Sequence, residues 1–314
     1  MTSMANTLIW IPKRLVEISL VNLAAQSPEQ FAALCESDYV RRVEHAADSV
    51  LESGARIVML TGPSASGKTT SAHKLADALR RKGSYGTVVS LDNFFKDLED
   101  YPRLPDGRID YENVEALDVE AIHAALLSLV RTGQADIPDF DFCSEQRRRG
   151  TVRIDARGGI VIVEGIHALN PRLTCVLPEK SVYKIYAGLR EEYSQDGARF
   201  LPTRDVRLAR RMVRDIRFRG HSVEKTLGMW PDVCAGEDKY IKVFKNQADL
   251  LLDTSFTYEL CVLAPFVHEL RGAVAPDSEY APVLEALCAK YDACASLPAS
   301  LIPEDSMLRE FIGV

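Results

Sequence analysis

Short apolar runs alternate with amphipathic stretches along most of the chain. Residues 56–61 form an apolar, β-branched run without a helical period and predict a buried strand. Residues 69–81 carry apolar side chains at i, i+3, i+4 and i+7, which predicts an amphipathic helix. Similar runs predict further strands at residues 85–90, 160–163, 181–187 and 249–252, and further helices at residues 28–53, 117–130, 258–270 and 281–291. Alternating strands and helices predict an α/β fold, in which helices cover both faces of a parallel five-stranded sheet.

The absence of repeats and low-complexity linkers favours one main domain. We expect this domain over residues 54–272, preceded by an N-terminal extension with a helix (1–53) and followed by a helical extension (273–314). Two early stretches are less clear: residues 8–11 could form a strand, and residues 14–24 a strand or an amphipathic segment.

Composition and charge narrow the classes of partner. The chain has 314 residues, 46% of them hydrophobic and 26% charged, and a net charge of −7. An acidic balance disfavours nucleic acid and anionic membranes as main partners. Seven scattered cysteines without metal-ligand spacing predict reduced thiols. No apolar run approaches the length of a membrane span, and the N-terminus lacks the pattern of a signal peptide, so we expect a cytoplasmic protein.

A glycine-rich motif, Gly62-Pro-Ser-Ala-Ser-Gly-Lys-Thr69, joins the first buried strand to the amphipathic helix. Its two glycines allow successive backbone N–H groups to point at phosphate oxygens, and the helix N-terminus adds partial positive charge. Lys68 can then reach the β- and γ-phosphates, and the Thr69 hydroxyl can bind Mg²⁺. The residues expected to hold the nucleotide are Gly62, Ser64, Ala65, Ser66, Gly67, Lys68, Thr69 and Thr70. The motif predicts binding of a nucleoside triphosphate.

Two carboxylates follow other predicted strands. Glu164 ends the apolar run at residues 160–163, and Asp92 comes directly after the run at residues 85–90. Ligands of such sheets bind at the carboxyl ends of the strands. Glu164 is therefore a candidate magnesium ligand, and Asp92 is a candidate base that would accept the proton of an acceptor hydroxyl. Both could instead be ordinary capping or strand-ending acids.

Seven arginines lie within residues 204–219. One helical face of this stretch is apolar, and a second repeats arginine at residues 207, 210, 211 and 214. The spacing alone fits a solvated face, partly neutralised by Asp205 and Asp215. After a phosphate-binding loop, an arginine-rich lid over residues 204–240 that clamps phosphate is the better prediction.

Together these motifs resemble the uridine kinase and phosphoribulokinase superfamily, and in particular its bacterial uridine-kinase-like subgroup. The resemblance covers residues 57–263 and depends on GPSASGKTT, SLDNFFK, PDFDF, IVIVEGIHAL and DVRLARRMVRDIRFRG followed by QADLLLD. It implies a P-loop nucleoside-triphosphate-binding fold with a mobile lid. It also implies ATP and Mg²⁺ as cofactors, and transfer of the γ-phosphoryl group of ATP to the 5′-hydroxyl of a nucleoside.

The resemblance assigns roles to single residues. Asp92, Lys68 and Arg214 would be catalytic, and Thr69, Glu164 and Asp92 would hold the metal. Glu112 falls where uridine kinases hold the ribose with an aspartate. The arginines of the lid would contact the acceptor sugar through Arg211 and the phosphates through Arg214, Arg217 and Arg219.

The departures from the family concern the acceptor more than the reaction. Polar residues that read a pyrimidine or line the lid are replaced by Phe140, Glu145, His221 and Met229, and the motif around Asp92 carries Asn93 and Phe95. An aromatic slot around Phe95 and Phe140 favours a nucleoside, whereas a basic pocket near Arg147 favours a sugar phosphate or a pantothenate-like alcohol. A regulatory module that binds ATP without transferring it also stays open. We expect a small-molecule substrate, and a homo-oligomer would agree with the family.

Overall fold

The structure, a computed structural model, describes residues 12–141 and 146–313. The strands are β1 (Arg14–Glu17), β2 (Ile57–Thr61), β3 (Gly86–Ser90), β4 (Gln134–Asp141), β5 (Gln146–Asp155), β6 (Ile160–Glu164), β7 (Val182–Gly188), β8 (Glu191–Gln195), β9 (Ala198–Leu201) and β10 (Leu250–Asp253). The helices are α1 (Ile18–Ala24), α2 (Pro28–Ser53), α3 (Lys68–Arg81), α4 (Val119–Thr132), α5 (Pro171–Thr174), α6 (Thr203–Phe218), α7 (Val223–Gly236), α8 (Glu259–Glu269), α9 (Ala281–Asp292) and α10 (Arg309–Ile312).

A five-stranded parallel sheet in the order β10-β7-β2-β6-β3 lies at the centre of the molecule. Every residue of β2, β6 and β10 is buried, because helices or loops cover both faces, and this is why these strands read as continuous apolar runs. The predicted α/β class and the five predicted strands are confirmed.

The register of the sheet places the sequence motifs at one edge. Leu60 of β2 pairs with Glu164 of β6, which pairs in turn with Ser90 of β3. Parallel strands end at the same edge, so the chain leaves three adjacent strands there, into the glycine-rich loop, the Glu164 turn and the Asp92 turn. This edge carries the candidate site.

Two apolar cores flank the sheet. One joins alternate residues of the strands, such as Val58 and Ile185, to α2, α3, α6 and α8. The other joins Met59 and Val163 to α4 and to the antiparallel hairpin of β4 and β5. Helix α4 has well-formed ends, since Asp118 caps its first turn and Gly133 closes it in the left-handed conformation.

The two extensions pack on the first of these cores. Tyr39 and Val43 of α2 are almost wholly buried, as are Phe311 and Ile312 at the C-terminus. Residues 14–24, for which the sequence left a strand or an amphipathic segment open, form strand β1 followed by helix α1. The strand predicted at residues 8–11 lies outside the described residues. No helix in the described ranges is long and apolar enough to span a membrane.

Three strands were not predicted from the sequence. β5 completes the hairpin with β4, and β8 and β9 form a small sheet with β1. The sequences of β5 and β8 are polar, and β9 is only four residues long, so the apolar-run criterion does not find them. The turn between β8 and β9 carries a recognisable signal nonetheless: Asp196 and Gly197 both have positive φ, and Asp-Gly is typical of such hairpin turns.

Candidate active site

The glycine-rich loop runs from β2 into the N-terminus of α3, as predicted. Gly62 approaches β7 so closely that a Cβ there would lie 2.1 Å from the carbonyl oxygen of Ala187. Gly67 has a φ of +79°, in the left-handed region that favours glycine. The two glycines therefore fix the path of the loop, which ends at the first turn of α3, where backbone N–H groups are suited to binding an anion.

Thr69, Ser90, Asp92 and Glu164 lie together beside the loop, and we call this group the carboxylate corner. Thr69 Oγ1 is 3.3 Å from Glu164 Oε2, and Ser90 Oγ donates to Glu164 Oε1 at 2.6 Å. The same Ser90 oxygen accepts from the backbone N–H of Asp92 at 3.3 Å. A cavity of about 350 Å³ opens here, lined by Thr69, His73, Val88, Ser90, Asp92, Asn93 and Glu164. The structure thus brings the three residues predicted to hold a metal to one place.

The electrostatics of this corner fit a divalent cation. Burial raises the pKa of Glu164, and the nearby Asp92 carboxylate raises it further. Burial also raises the pKa of Asp92, against the opposing effects of Lys68, Arg219 and Arg214. Two close carboxylates that disfavour each other's ionisation are suited to a cation between them. Among the described residues no three or more His, Cys, Asp or Glu side chains are placed so that they could hold a metal ion by themselves. Mg²⁺ commonly needs only one or two carboxylates together with substrate phosphates.

Three arginines of helix α6 are buried. Arg207 donates to the Ser64 carbonyl at 3.0 Å, and Arg211 donates to the Ser64 hydroxyl at 2.8 Å. Arg210 is fully buried and forms a bidentate ion pair with Glu259. The reading of this helix as a solvated face is therefore wrong: its arginines pack against the phosphate-binding loop.

Three arginines near the end of α6 lie around the carboxylate of Asp215. This buried carboxylate accepts from Arg214 at 3.1 Å and lies 3.2 Å from Arg211 Nε and 3.7 Å from Arg219 Nη1. Arg214 and Arg219 also act electrostatically on Asp92. The cluster thus faces the carboxylate corner. Arg217, predicted with this group, lies apart from it, since its guanidinium donates to the Ile312 carbonyl and packs on the Phe266 ring.

A second cavity, of about 440 Å³, lies between α7 and the loop at residues 103–112. Glu112 lines it, and burial raises the pKa of this carboxyl to about 7 against the opposing charges of Arg211 and Lys68. Gly236 of α7 allows this packing, because a Cβ there would lie 2.3 Å from Glu112 Cβ. No described residue donates a hydrogen bond to the Glu112 carboxylate, which leaves it available to a ligand.

Sequence reasoning missed the other polar groups of this cavity. Asp110 Oδ2 accepts from Tyr240 Oη at 2.8 Å and from Asn113 Nδ2 at 3.1 Å. Tyr111 lines the cavity with a ring that is 43% exposed. The YEN segment of the sequence could have pointed to Tyr111, but Tyr240 comes from a distant stretch and only the fold brings it here.

The aromatic slot predicted around Phe95 and Phe140 is a packed cluster. Phe140 is 7% exposed, and its ring centroid lies 5.7 Å from that of Phe95, which also stacks on Tyr101. Arg147 binds the Phe95 carbonyl at 2.8 Å and Asp118 at 3.1 Å, so it anchors the β4–β5 hairpin. Glu145 lies outside the described residues.

His167, three residues after Glu164, is 1% exposed and lies beside the main chain of Glu112 and the ring of Tyr240. In the described part of the chain neither ring nitrogen has a partner with hydrogen-bond geometry. Burial lowers the pKa of His167 from 6.5 to about 4. The ring is therefore neutral at physiological pH.

This shift predicts a loss of stability in acid. The unfolded chain takes up a proton at His167 near pH 6.5, whereas the folded protein resists protonation down to about pH 4, so stability falls between these values. Between about pH 7.5 and pH 5, the unfolding free energy of the wild type should fall by about 2 kcal/mol more than that of His167→Asn. Urea denaturation at both pH values measures the difference. His45→Asn, on the exposed side of α2, is the control and should behave as the wild type.

Fold and site together define a P-loop kinase, and comparison with known proteins identifies the family. The family model described as phosphoribulokinase / uridine kinase matches residues 57–185 and 199–259. The chain belongs to this family.

Individual relatives agree with this assignment. A uridine kinase of Lactobacillus helveticus is 25% identical over 198 residues, which are 62% of this chain and 85% of the relative. A uridine kinase of Borreliella burgdorferi is 27% identical over 200 residues, 63% of this chain and 86% of the relative. The crystal structure of a candidate fructose transport system kinase from a Silicibacter species superposes with a TM-score of 0.50 at 22% identity, covering 67% of this chain and 98% of that one. At that identity the structure supports the fold alone.

Proposed function

We propose that the protein is an ATP- and Mg²⁺-dependent kinase that phosphorylates a hydroxyl group of a nucleoside. The observation that carries this proposal is the position of Asp92. Its carboxylate lines the same cavity as Thr69 and Glu164. It also interacts electrostatically with Lys68 and with the arginine cluster. Phosphoryl transfer needs a base, a metal site and a cationic clamp around one reacting centre.

Each residue has a distinct part in this reaction. The loop amides and Lys68 would bind the triphosphate, and Thr69 and Glu164 would hold Mg²⁺, which neutralises charge on the β- and γ-phosphates. Asp92 would orient the acceptor hydroxyl and take its proton as the new P–O bond forms.

The arginine cluster would stabilise the charge of the transferred group. Arg211, Arg214 and Arg219 converge on Asp215, which holds them in place without neutralising all three. Fixed cations near the reacting centre lower the barrier because they need no reorganisation during the reaction. Closure of this part of the chain over bound substrates would also exclude water and limit ATP hydrolysis.

The second cavity supports a hydroxyl-rich acceptor. The Glu112 and Asp110 carboxylates offer acceptors for sugar hydroxyls, and Tyr111, which is 43% exposed, offers a ring on which a base can stack. The guanidinium of Arg147, the residue that would have favoured a phosphorylated acceptor, is held by the protein through Nε and Nη2. A nucleoside therefore fits better than a sugar phosphate.

The direct test is ATP consumption by the purified protein with Mg²⁺ and a panel of acceptors. The panel comprises ribonucleosides, deoxynucleosides, fructose, glycerate, ribulose 5-phosphate and pantothenate. Turnover of a nucleoside supports the proposal. Turnover of another alcohol would keep the kinase and change its substrate, while ADP binding without any turnover would favour the regulatory module.

Glu112→Gln should lower kcat/KM for the preferred nucleoside by roughly 10- to 100-fold, because a charged acceptor of sugar hydroxyls is lost. ADP binding should be unchanged, as Glu112 lies on the acceptor side. Glu115→Gln is the matched control, since Glu115 is on the same loop but pairs with Arg172. A 2′-deoxynucleoside should lose less than the ribonucleoside if Glu112 binds that hydroxyl. Equal kcat/KM for wild type and Glu112→Gln would contradict the assignment.

A further inference from the structure

The C-terminal segment, residues 302–313, crosses the top of the phosphate-binding loop. Met307, Phe311 and Ile312 are fully buried, and Phe311 packs under the guanidinium of Arg210 at 4.8 Å. A Cβ on Gly67 would lie 2.3 Å from Met307 Sδ. The segment is therefore in direct contact with the loop, although it follows the last strand of the sheet by some fifty residues.

Glu310 is the one carboxylate of this segment that reaches the start of α3. Its Oε2 accepts from Thr70 Oγ1 at 2.7 Å and lies 3.4 Å from the backbone nitrogen of Thr70. Its charge also contributes to the raised pKa of Glu164. The segment's other acid nearby, Asp305, pairs instead with Lys74, one turn further along the helix.

The position of this contact matters because Thr70 follows the motif lysine and Mg²⁺-binding threonine. Backbone N–H groups at this end of α3 are the donors that cradle the α- and β-phosphates in such loops. One amide cannot satisfy a carboxylate and a phosphate oxygen at full strength, and two anions at this distance repel each other. Glu310 and a nucleotide phosphate thus compete for the same donor.

We propose that Glu310 is an internal competitor of the nucleotide, whose carboxylate occupies the Thr70 donors and must withdraw when a phosphate binds. This inference depends on the proposed binding of a nucleoside di- or triphosphate at the loop. Withdrawal needs only rotation of the Glu310 side chain, because the apolar residues on either side keep the segment in place. Glu310 would set nucleotide affinity below the value that the loop alone provides.

Calorimetric titration with MgADP and with adenosine tests the proposal. Glu310→Gln keeps an acceptor oxygen and the size of the side chain but removes the charge, so it should bind MgADP roughly tenfold more tightly than the wild type. Adenosine, which has no phosphate, should bind both proteins equally. Asp305→Asn is the matched control: it neutralises another acid of the same segment away from Thr70, and its MgADP affinity should stay within about twofold of the wild type.

Several outcomes would overturn the proposal. Unchanged or weaker MgADP binding by Glu310→Gln would contradict it, as would an equal gain for adenosine or an equal gain for Asp305→Asn. Glu310→Asp, which keeps the charge but shortens the side chain by one methylene, should bind MgADP with an affinity between those of wild type and Glu310→Gln, and thermal unfolding shows that each variant is folded. If neither wild type nor Glu310→Gln binds MgADP, the proposed function fails as well. If both bind it equally, only this inference fails.

Discussion

Asp92→Asn is expected to lower kcat by about 10³-fold and to change MgADP binding much less. Asparagine keeps the size and the hydrogen-bonding oxygen of the side chain but cannot take a proton. Burial already raises the pKa of the Asp92 carboxyl above its ordinary value, which makes it a better base than an exposed aspartate. Steady-state kinetics with the preferred acceptor and calorimetry with MgADP measure the two quantities.

The matched control is Asp100→Asn, an exposed aspartate in the following turn, which should retain wild-type kinetics. Asp92 also lies near the metal corner, so the rate should be measured over a range of Mg²⁺ concentrations. Recovery of the rate at high Mg²⁺ would show that the carboxylate serves the metal. A rate within tenfold of the wild type at all Mg²⁺ concentrations would contradict the role as base.

The sequence predicts most of the fold because the central strands are buried on both faces. The apolar runs of β2 and β6 are short and rich in β-branched residues, which favours buried strands over buried helices. The β8 strand, by contrast, reads EEYSQ and is buried by ion pairs: Glu191 binds Arg14, and Glu192 binds Lys13. Partners some 180 residues away cannot be read from a local pattern.

The same distinction holds for the candidate site: residues placed by the sheet could be predicted from the sequence, and residues placed by loops could not. Loop and strand-end residues were found because parallel strands must present them at one edge. The second cavity is built from loops and from the end of α7, where no periodicity marks Asp110 or Tyr240. His167 was not singled out from the sequence, and only the structure shows that its ring is buried.

Charge patterns carry the least structural information. The i, i+3, i+4 spacing of arginines in α6 is compatible with solvent, with phosphate or with buried partners. Only tertiary contacts show that Arg210 is fully buried against Glu259 of α8. This pair joins the arginine helix α6 to α8, the helix that follows the last strand. The stability prediction below is based on it.

Glu259→Gln is expected to lower the free energy of unfolding by about 3–5 kcal/mol. The carboxylate accepts from Arg210 Nε at 2.7 Å and from Nη2 at 2.9 Å, and neither side chain has measurable exposure. An amide would present its NH₂ group to a guanidinium in the absence of water and leave a buried charge without a counter-charge. Chemical denaturation at neutral pH measures the change.

A second arginine–carboxylate pair provides the control. Arg271 and Asp292 are also 2.7 Å apart, but their side chains are 41% and 48% exposed. Solvent screens such a pair, so Asp292→Asn should leave the free energy of unfolding nearly unchanged. The comparison holds distance constant and varies burial. If the two substitutions cost the same, burial of the Arg210–Glu259 pair does not determine its importance, and the packing of α6 against α8 would have to be stabilised chiefly by its apolar contacts.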